Sequence, residues 1–151
     1  MKIIAHRGNI DGPSSLENHP DYITSALNEG FDVEVDVWAK ESDLFLGHDE
    51  PHYKIDINFL HKIADRSWIH CKNLKAIEVL SNHDNLNVFW HQEDDFVLTR
   101  SNHIWTFPGK ELGAKSIAVM PKDLEDASTL KLFGVCTDYP RLLRKLVQHD
   151  S

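Results

Sequence analysis

The sequence has few of the features that point to an extracellular, membrane-spanning or nucleic-acid-binding protein. Only two of its 151 residues are cysteine, Cys71 and Cys136, which is too few for a disulfide framework. We therefore expect a reducing, cytoplasmic setting. No apolar run approaches the roughly 20 residues that cross a bilayer, and the first residues lack the long apolar segment of a signal peptide. The expectation is a protein with no membrane span and no secretory leader.

Positive charge is also scarce. Lysine and arginine number 16 against 24 aspartates and glutamates, a net charge of −8 with histidine neutral. Nucleic acids require clustered Lys and Arg to neutralise their phosphates, so we expect no nucleic-acid partner. Histidine, in contrast, is abundant at 10 residues, and it serves acid/base catalysis and metal ligation. An acidic protein can still bind a single phosphate group when a cation assists.

The chain predicts a single domain over residues 1–151, because it shows no repeat, linker or low-complexity stretch. Short β-type runs alternate with helical patterns along it. The runs cover 2–5, 31–37, 44–47, 68–71, 87–90, 103–106, 116–119 and 134–137. The clearest helical patterns cover 19–29, 57–65, 74–83 and 141–148.

Alternating strands and helices indicate an α/β fold with a parallel sheet, and eight such units would close a compact (β/α)8 TIM-type barrel. A typical barrel uses roughly 250 residues. Several helices must therefore be shortened or replaced by loops, as over 92–102 and 107–115. An open α/β sheet is the structural alternative. The barrel is favoured because polar residues follow five consecutive predicted strands, where a barrel has its active site. They are His6 and Arg7, Glu34 and Asp36, His48 and Asp49, His70 and Lys72, and His91 and Glu93.

Glu34 and Asp36 are two positions apart on a predicted strand, so their carboxylates should project from the same face. Two adjacent carboxylates repel each other, which raises both pKa values unless a cation joins them. A hard divalent ion such as Mg²⁺ or Ca²⁺ suits such oxygen ligands. The alternative is a solvated strand with outward-facing acids. In the barrel, Val33, Val35 and Val37 would instead face the helices.

His6 and His48 could act as acid and base on a phosphodiester, and Arg7 offers a planar fork for phosphate oxygens. These residues belong to five motifs that resemble, in order and spacing, those of the glycerophosphodiester phosphodiesterases, phosphodiesterase barrels of the phosphatidylinositol-phospholipase-C-like kind. The motifs are IAHRG at 4–8, LEN at 16–18, GFDVEVDV at 30–37, LGHD at 46–49 and GVCTDYP at 134–140. The resemblance is strong over 2–51, clear again at 134–140 and weak between them. It identifies the chain as a short, divergent relative.

The resemblance implies a metal-dependent phosphodiester hydrolase of lipid metabolism, which releases an alcohol and glycerol 3-phosphate. Its small-molecule substrate would be a glycerophosphodiester. By position, His6 and His48 would be the catalytic acid/base pair, and Glu34 and Asp36 would bind the metal. The substrate-binding residues would be Arg7, Lys72, Glu17 and Asn18.

Two departures from the family pattern matter. The fourth strand of the family usually carries Glu-x-Lys, whereas this chain has His70-Cys71-Lys72. His70 is expected as the third metal ligand, and its nitrogen shifts the metal preference from Mg²⁺ or Ca²⁺ toward Mn²⁺ or Zn²⁺. The chain also lacks the family's long connections, so the site should be more open or completed by a second subunit in a homo-oligomer.

Three other functions remain open from the sequence. The first is a phosphodiesterase for another head group, such as a sugar or cyclic phosphodiester or a lysophospholipid. The second is a non-catalytic barrel that binds phosphate or metal, and the third a structural zinc protein. Among lesser candidates, Trp90, Trp105 and Phe107 could form an apolar wall beside the substrate. Asp138 is expected to cap backbone amides in the final turn.

Overall fold

The computed structural model of the protein describes residues 1–149, which form a mixed α/β fold around one curled sheet. Ten strands build the sheet. They are β1 (Lys2–His6), β2 (Asp32–Lys40), β3 (Asp43–Leu46), β4 (Tyr53–Ile55), β5 (Ser67–Cys71), β6 (Val88–Phe89), β7 (Phe96–Leu98), β8 (Ile104–Thr106), β9 (Ser116–Val119) and β10 (Gly134–Thr137). Seven are parallel neighbours in the order β6-β5-β2-β1-β10-β9-β8, and β7 pairs antiparallel with β8.

Five helices connect these strands. They are α1 (Pro20–Asn28), α2 (Ile57–Ile63, continued by a 3₁₀ turn at Ala64–Arg66), α3 (Leu74–Leu80), α4 (Leu124–Thr129) and α5 (Pro140–His149). Side chains of Asp56, Asn73 and Asp123 accept hydrogen bonds from the first free N–H groups of α2, α3 and α4. The four helices that the sequence predicts are confirmed, whereas the short α4 was not predicted. None of the described helices is long and apolar enough to span a membrane.

The sheet curls because its strands have two differently packed faces. Val33, Val35 and Val37 are fully buried against the helices, as predicted for the outward face of β2. A second cluster fills the concave side, with one buried side chain from each of six strands. These are Ile4, Trp68, Phe89, Trp105, Ile117 and Cys136. The concave side is therefore packed at its base, and the ends of the strands remain for polar groups.

The predicted closed barrel is wrong, because the sheet is an open half-barrel. Among the described residues no strand ladder joins β6 to β7 or β8, and one backbone hydrogen bond, from Arg100 N to Val88 O at 3.2 Å, reaches across. The predicted third strand, over 44–47, is also not a parallel barrel strand. It corresponds to β3, which folds back on β2 and pairs antiparallel, Lys40 with Asp43. Two intervening residues allow a hairpin but no parallel crossover.

The hairpin explains how a short chain brings residues of the 46–49 motif to the site. Strand β2 extends to Lys40, beyond its parallel neighbours, and β3 returns antiparallel to it until Leu46 pairs with Val37. A Cβ atom on Gly47 would lie 2.0 Å from the carbonyl oxygen of Glu50, so only glycine permits the tight turn that follows. His48 is thereby directed toward the carboxyl ends of the parallel strands.

Candidate functional site

The carboxyl ends of the parallel strands gather the polar side chains that the sequence predicts as site residues, and we call this end of the sheet the mouth. Strand register determines the grouping, since His6 on β1 pairs with Glu34 on β2, and Asp36 on β2 pairs with His70 on β5. Ligand atoms of Glu34, Asp36 and His70 all lie within 4.8 Å of one another. The three residues expected to bind a metal therefore form one cluster.

The orientation of the His70 ring is determined by its neighbours. Nε2 lies 2.8 Å from the carbonyl oxygen of His91, and because a carbonyl only accepts, Nε2 carries a hydrogen. The ring also stacks on Phe89, with centroids 5.2 Å apart. Nδ1 therefore faces the carboxylates, 3.2 Å from Asp36 Oδ1 and 3.8 Å from Glu34 Oε1. A histidine that donates one N–H to a backbone carbonyl is typical of metal ligands.

One buried oxygen indicates that the cluster fits a cation. Asp36 Oδ1 is buried and has no hydrogen-bond donor, although His70 Nδ1 is at ion-pair distance. An unpartnered buried carboxylate oxygen is costly, and a metal ion would satisfy it together with the free nitrogen of His70. Two carboxylates and one imidazole are a donor set that divalent metals accept. The cluster could therefore hold a divalent ion.

The two carboxylates have opposite electrostatic environments. Burial, with Asp36 beside it, raises the pKa of Glu34 well above its usual value. Burial also acts to raise the pKa of Asp36. Three groups outweigh this effect and lower that pKa: the His70 ring in its protonated form, the Asn18 amide and the Arg7 guanidinium. The expectation that both pKa values would be raised is thus wrong for Asp36, because three groups that favour its charged form surround it. In the absence of a metal, one carboxyl retains a proton more readily than the other.

Asn18 is 1% exposed and bonds to Asp36 with both ends of its amide. Its Nδ2 donates to Asp36 Oδ2 at 2.9 Å, and its Oδ1 accepts from the Asp36 backbone N–H at 3.0 Å. Its backbone has φ 64°, a left-handed conformation that asparagine tolerates better than most residues. The substrate contact predicted for Asn18 stays a prediction, whereas its hydrogen bonds orient Asp36.

Arg7 is held between three carboxylates at the end of β1. Its backbone N–H donates to Glu34 Oε2 at 3.2 Å, and its Nη1 donates to Glu17 Oε2 at 3.0 Å. Its Nε is buried without a hydrogen-bond partner, 3.4 Å from Asp36 Oδ2. Burial lowers the pKa of Arg7, but Glu34, Asp36 and Glu17 outweigh this effect and raise it. The guanidinium is therefore a permanently charged group held in a fixed position beside Glu34 and Asp36.

His6 is oriented by a carboxylate from the opposite end of the chain. Its Nδ1 lies 2.7 Å from Asp138 Oδ1, and its Nε2 lies 4.0 Å from Glu34 Oε2. The expectation that Asp138 caps backbone amides is wrong, since its side chain bonds to His6 and Asn9. Burial would raise the pKa of Asp138, but these two hydrogen bonds lower it. An ionised Asp138 keeps the hydrogen on His6 Nδ1 and leaves Nε2 facing the mouth.

Asn9 is a residue of this site that the sequence analysis did not single out. It is fully buried, and its Nδ2 donates to Asp138 Oδ1 and to Glu17 Oε1, both at 2.9 Å. Its Oδ1 accepts from the Tyr22 hydroxyl at 3.1 Å. One amide thus connects the carboxylate that orients His6 with the one that holds Arg7. Its position directly after the IAHRG motif was the only signal in the sequence.

His48 and Lys72 line a cleft of about 280 Å³ at the mouth. The other lining residues are Trp38, Asp49, His70, Cys71, Trp90, His91 and Gln92. His48 Nδ1 lies 2.7 Å from Asp49 Oδ1, and the Trp38 indole N–H fixes the preceding loop by donating to Gly47 O at 2.7 Å. Lys72 Nζ lies 4.0 Å from Asp36 Oδ1. The cleft therefore brings His48 and His70 to one opening, while His6 approaches Glu34 from β1.

Volume alone would not identify this site. A cleft of about 740 Å³ lies on the outside of the molecule, between the β3–β4 hairpin and helices α2 and α3, and it contains none of the predicted site residues. The mouth is distinguished instead by buried charge, by carboxylate–histidine pairs and by a ligand cluster. Of the lesser candidates, Trp105 is a core residue, whereas Trp90 is 37% exposed and lines the cleft.

Comparison with known proteins supports the fold. The sequence matches no protein-family model and no curated protein. Among solved structures, the protein is similar to a glycerophosphodiester phosphodiesterase from Parabacteroides distasonis. The two chains share a fold. The TM-score is 0.56 at 13% sequence identity, and the alignment covers 99% of this chain and 98% of that chain. At this identity the likeness is one of architecture, and the activity has to be argued from the site.

Proposed function

We propose that the protein is a metal-dependent phosphodiester hydrolase that resembles glycerophosphodiester phosphodiesterases. The observation that carries the proposal is the buried cluster of Glu34, Asp36 and His70, in which one carboxylate oxygen has no hydrogen-bond donor. Two histidines with carboxylate partners and two basic side chains surround that cluster. Metal ligands, acid/base groups and phosphate-binding cations are the parts that phosphodiester hydrolysis requires.

The binding roles follow from charge and position. Glu34, Asp36 and His70 would hold a divalent ion, which would supply positive charge to the phosphoryl oxygens. Arg7 and Lys72 would bind the same phosphate, Arg7 as a fixed fork and Lys72 as a mobile point charge. Glu17 holds the Arg7 guanidinium, and Asn18 orients Asp36. We therefore assign Glu17 and Asn18 mainly to positioning.

The acid/base roles belong to His6 and His48. Each has Nδ1 directed at a carboxylate, Asp138 or Asp49, at 2.7 Å, so the neutral ring carries its hydrogen there and exposes a basic Nε2. One histidine, neutral with a basic Nε2, would deprotonate the attacking hydroxyl. The other would enter the reaction as an imidazolium and protonate the leaving alkoxide through its Nε2. The attacking hydroxyl would belong to the substrate itself, giving a cyclic phosphate that water then opens.

The nitrogen ligand makes Mn²⁺ or Zn²⁺ the better candidates, with Mg²⁺ or Ca²⁺ expected where all ligands are oxygens. His70→Glu should move the preference toward Mg²⁺ or Ca²⁺. The measurement is the affinity of the stripped protein for each of the four ions, with wild type and His149→Ala in parallel. His149 is exposed at the end of α5, so its loss controls for a change in histidine content. An unchanged order of affinities would place His70 outside the ligand set.

One feature of the fold leaves the substrate class broader than glycerophosphodiesters. The hairpin β3–β4 takes the place of a long connection after β2, so the mouth stays open to other head groups, such as sugar or cyclic phosphodiesters. A homo-oligomer is the alternative way of covering it. Nucleic acid is not proposed as a partner. Both cysteines are buried and free, which agrees with the cytoplasmic setting that we propose.

A second candidate function is that of a non-catalytic protein that binds phosphate or metal, and His70 in place of the family's glutamate favours it. Turnover decides between the two. Stripped protein is assayed with a chromogenic phosphodiester and a panel of glycerophosphodiesters as each metal is added back. We expect activity that His6→Ala and His48→Ala each remove, and that His149→Ala leaves intact. Metal binding without turnover on any substrate would favour the binding protein.

A further inference from the structure

The exposed aromatic side chains of the protein are concentrated at the mouth. In the part of the chain that the structure describes, four large aromatic residues are more than a third exposed. They are Trp90 at 37%, Phe96 at 51%, Phe107 at 41% and Tyr139 at 44%. We call these four residues the aromatic rim. Single exposed apolar residues are ordinary on protein surfaces, but their collection at one end of a fold is not.

Topology and contacts place each member of the rim. Trp90 directly follows β6 and lines the cleft that contains His48. Phe107 directly follows β8, and its ring centroid lies 5.9 Å from that of His91, another cleft residue. Phe96 pairs with Thr106, the last residue of β8, so it lies at the same end of the sheet.

Tyr139 completes the rim on the other side of the mouth. It directly follows the turn residue Asp138 after β10. Its ring lies against Gly12 in the loop after β1, where a Cβ atom added to the glycine would be 3.1 Å from the ring. Leu16 in that same loop and Leu74 at the start of α3 add exposed aliphatic surface at this end, at 50% and 67%. Exposed apolar side chains thus follow several strands and loops at the mouth, and Trp90 among them lines the cleft.

The negative charge of the loops at the mouth limits which kind of partner can cover the aromatic rim. The loops beside the cleft carry five exposed carboxylates, at Asp49, Glu50, Glu93, Asp94 and Asp95. Lys110 neutralises one of them through a 3.2 Å ion pair with Asp95. With a net charge of −8 for the whole chain, this end would repel both an anionic lipid surface and the same face of a second copy. A zwitterionic surface, whose outermost groups are cationic ammonium groups, has complementary charge.

We propose that the mouth docks on a zwitterionic phospholipid surface through the aromatic rim. Trp and Tyr have an apolar body and a polar tip, which suits the boundary between head groups and acyl chains. The acidic loops would contact the ammonium groups, and the cleft would open toward the lipid phosphates. Docking does not depend on turnover. The additional step, that the substrate is a phosphodiester held at this surface, rests on the proposed function.

Vesicle binding tests the proposal. The protein is sedimented with phosphatidylcholine vesicles, and with vesicles in which part of this lipid is replaced by phosphatidylglycerol. We expect binding to phosphatidylcholine that weakens on adding the anionic lipid. Trp90→Ala and Phe107→Ala should each weaken binding about tenfold, since each removes one large apolar side chain. Leu98→Ala is the matched control, because Leu98 is 65% exposed but pairs with Ile104, the first residue of β8, away from the mouth.

Tryptophan fluorescence gives an independent reading. Trp90 is the only tryptophan more than a third exposed, so its emission should shift to shorter wavelength on phosphatidylcholine vesicles, and Trp90→Phe should remove most of the shift. No binding, binding that is stronger on anionic vesicles, or equal loss in Leu98→Ala and the rim variants would each overturn the proposal. Because all these variants are at exposed positions, they should fold, and turnover on a dispersed glycerophosphodiester tests the proposed function separately.

Discussion

Asn18 offers a quantitative test of how the site is assembled. It is buried, it bonds to both the backbone and the side chain of Asp36, and it has the left-handed φ of 64°. Replacing it with glycine retains access to that backbone conformation and removes only the amide. Replacing it with alanine removes the amide and adds the strain of a left-handed non-glycine residue.

The magnitude follows from the groups left unpaired. Asn18→Gly leaves the Asp36 backbone N–H unpaired and removes a donor from Asp36 Oδ2. Each buried group should cost about 1–3 kcal/mol, or about 2–6 kcal/mol in total. Asn18→Ala should cost about 1–2 kcal/mol more than the glycine variant. Because Asn18 orients a proposed metal ligand, both variants should also lose about 10- to 100-fold in metal affinity.

Urea unfolding of the metal-free variants measures the first quantity, and calorimetric titration with Mn²⁺ measures the second. Thr24→Ala on the exposed face of α1 is a suitable control, because its hydroxyl bonds only to the Pro20 carbonyl within the helix. A glycine variant within about 0.5 kcal/mol of wild type, with unchanged metal affinity, would refute the reasoning. The Asn18 amide would then have no part in orienting Asp36.

Three further predictions concern the charged and buried groups of the site. Asp138→Asn should lower kcat about a hundredfold or more with little change in KM, because His6 loses its orienting carboxylate; a normal kcat would exclude the pair from catalysis. Since the pKa of Glu34 is raised, the folded metal-free protein binds this proton more tightly than the unfolded chain, so the free energy of unfolding should fall as the pH rises through that value. In urea titrations across pH, added Mn²⁺ should abolish this decline. Below pH about 4 the free energy of unfolding should instead fall as the pH falls, because the pKa values of Asp36 and Asp138 are lowered. Burial raises the pKa of Cys71 to about 12, so a thiol reagent should label it at the rate of unfolding, and fast labelling of the native protein would contradict its burial.

The grouping of Glu34 and Asp36 was predictable because it depends on short-range periodicity. Alternation along β2 places Glu34 and Asp36 on one face and Val33, Val35 and Val37 on the other. His70 was assigned through the family resemblance, because the parallel strand predicted at 44–47 would have separated β5 from β2. The observed register instead pairs β5 directly with β2, and His70 with Asp36. A pattern of period two was thus sufficient for Glu34 and Asp36, whereas His70 needed the resemblance.

The closed barrel was not predictable from the same rhythm. A β-type run at 44–47 looks alike whether it joins the sheet as a parallel strand or returns as a hairpin, and the two-residue connection after Lys40 decides for the hairpin. Strand β7, with only three residues, falls below the length at which alternation is visible. The open seam between β6 and β7 follows from such short edge strands.

The hydrogen bonds around His6 were beyond sequence reasoning for another reason. Asp138 is 132 positions from His6, and Asn9 is 129 positions from Asp138. No local pattern distinguishes a carboxylate that caps a turn from one that reaches a histidine on the neighbouring strand. Only the parallel pairing of β1 with β10 brings them together.

The most direct test of the central claim is to follow turnover and metal occupancy in one titration of the stripped protein. The chromogenic phosphodiester reports turnover while Mn²⁺ is added, and a Glu34→Gln/Asp36→Asn variant is titrated alongside. The account predicts that turnover rises in proportion to the occupancy of a single site, and that the variant keeps its circular dichroism but loses both. Full turnover in a metal chelator, or undiminished metal binding by the folded variant, would contradict it.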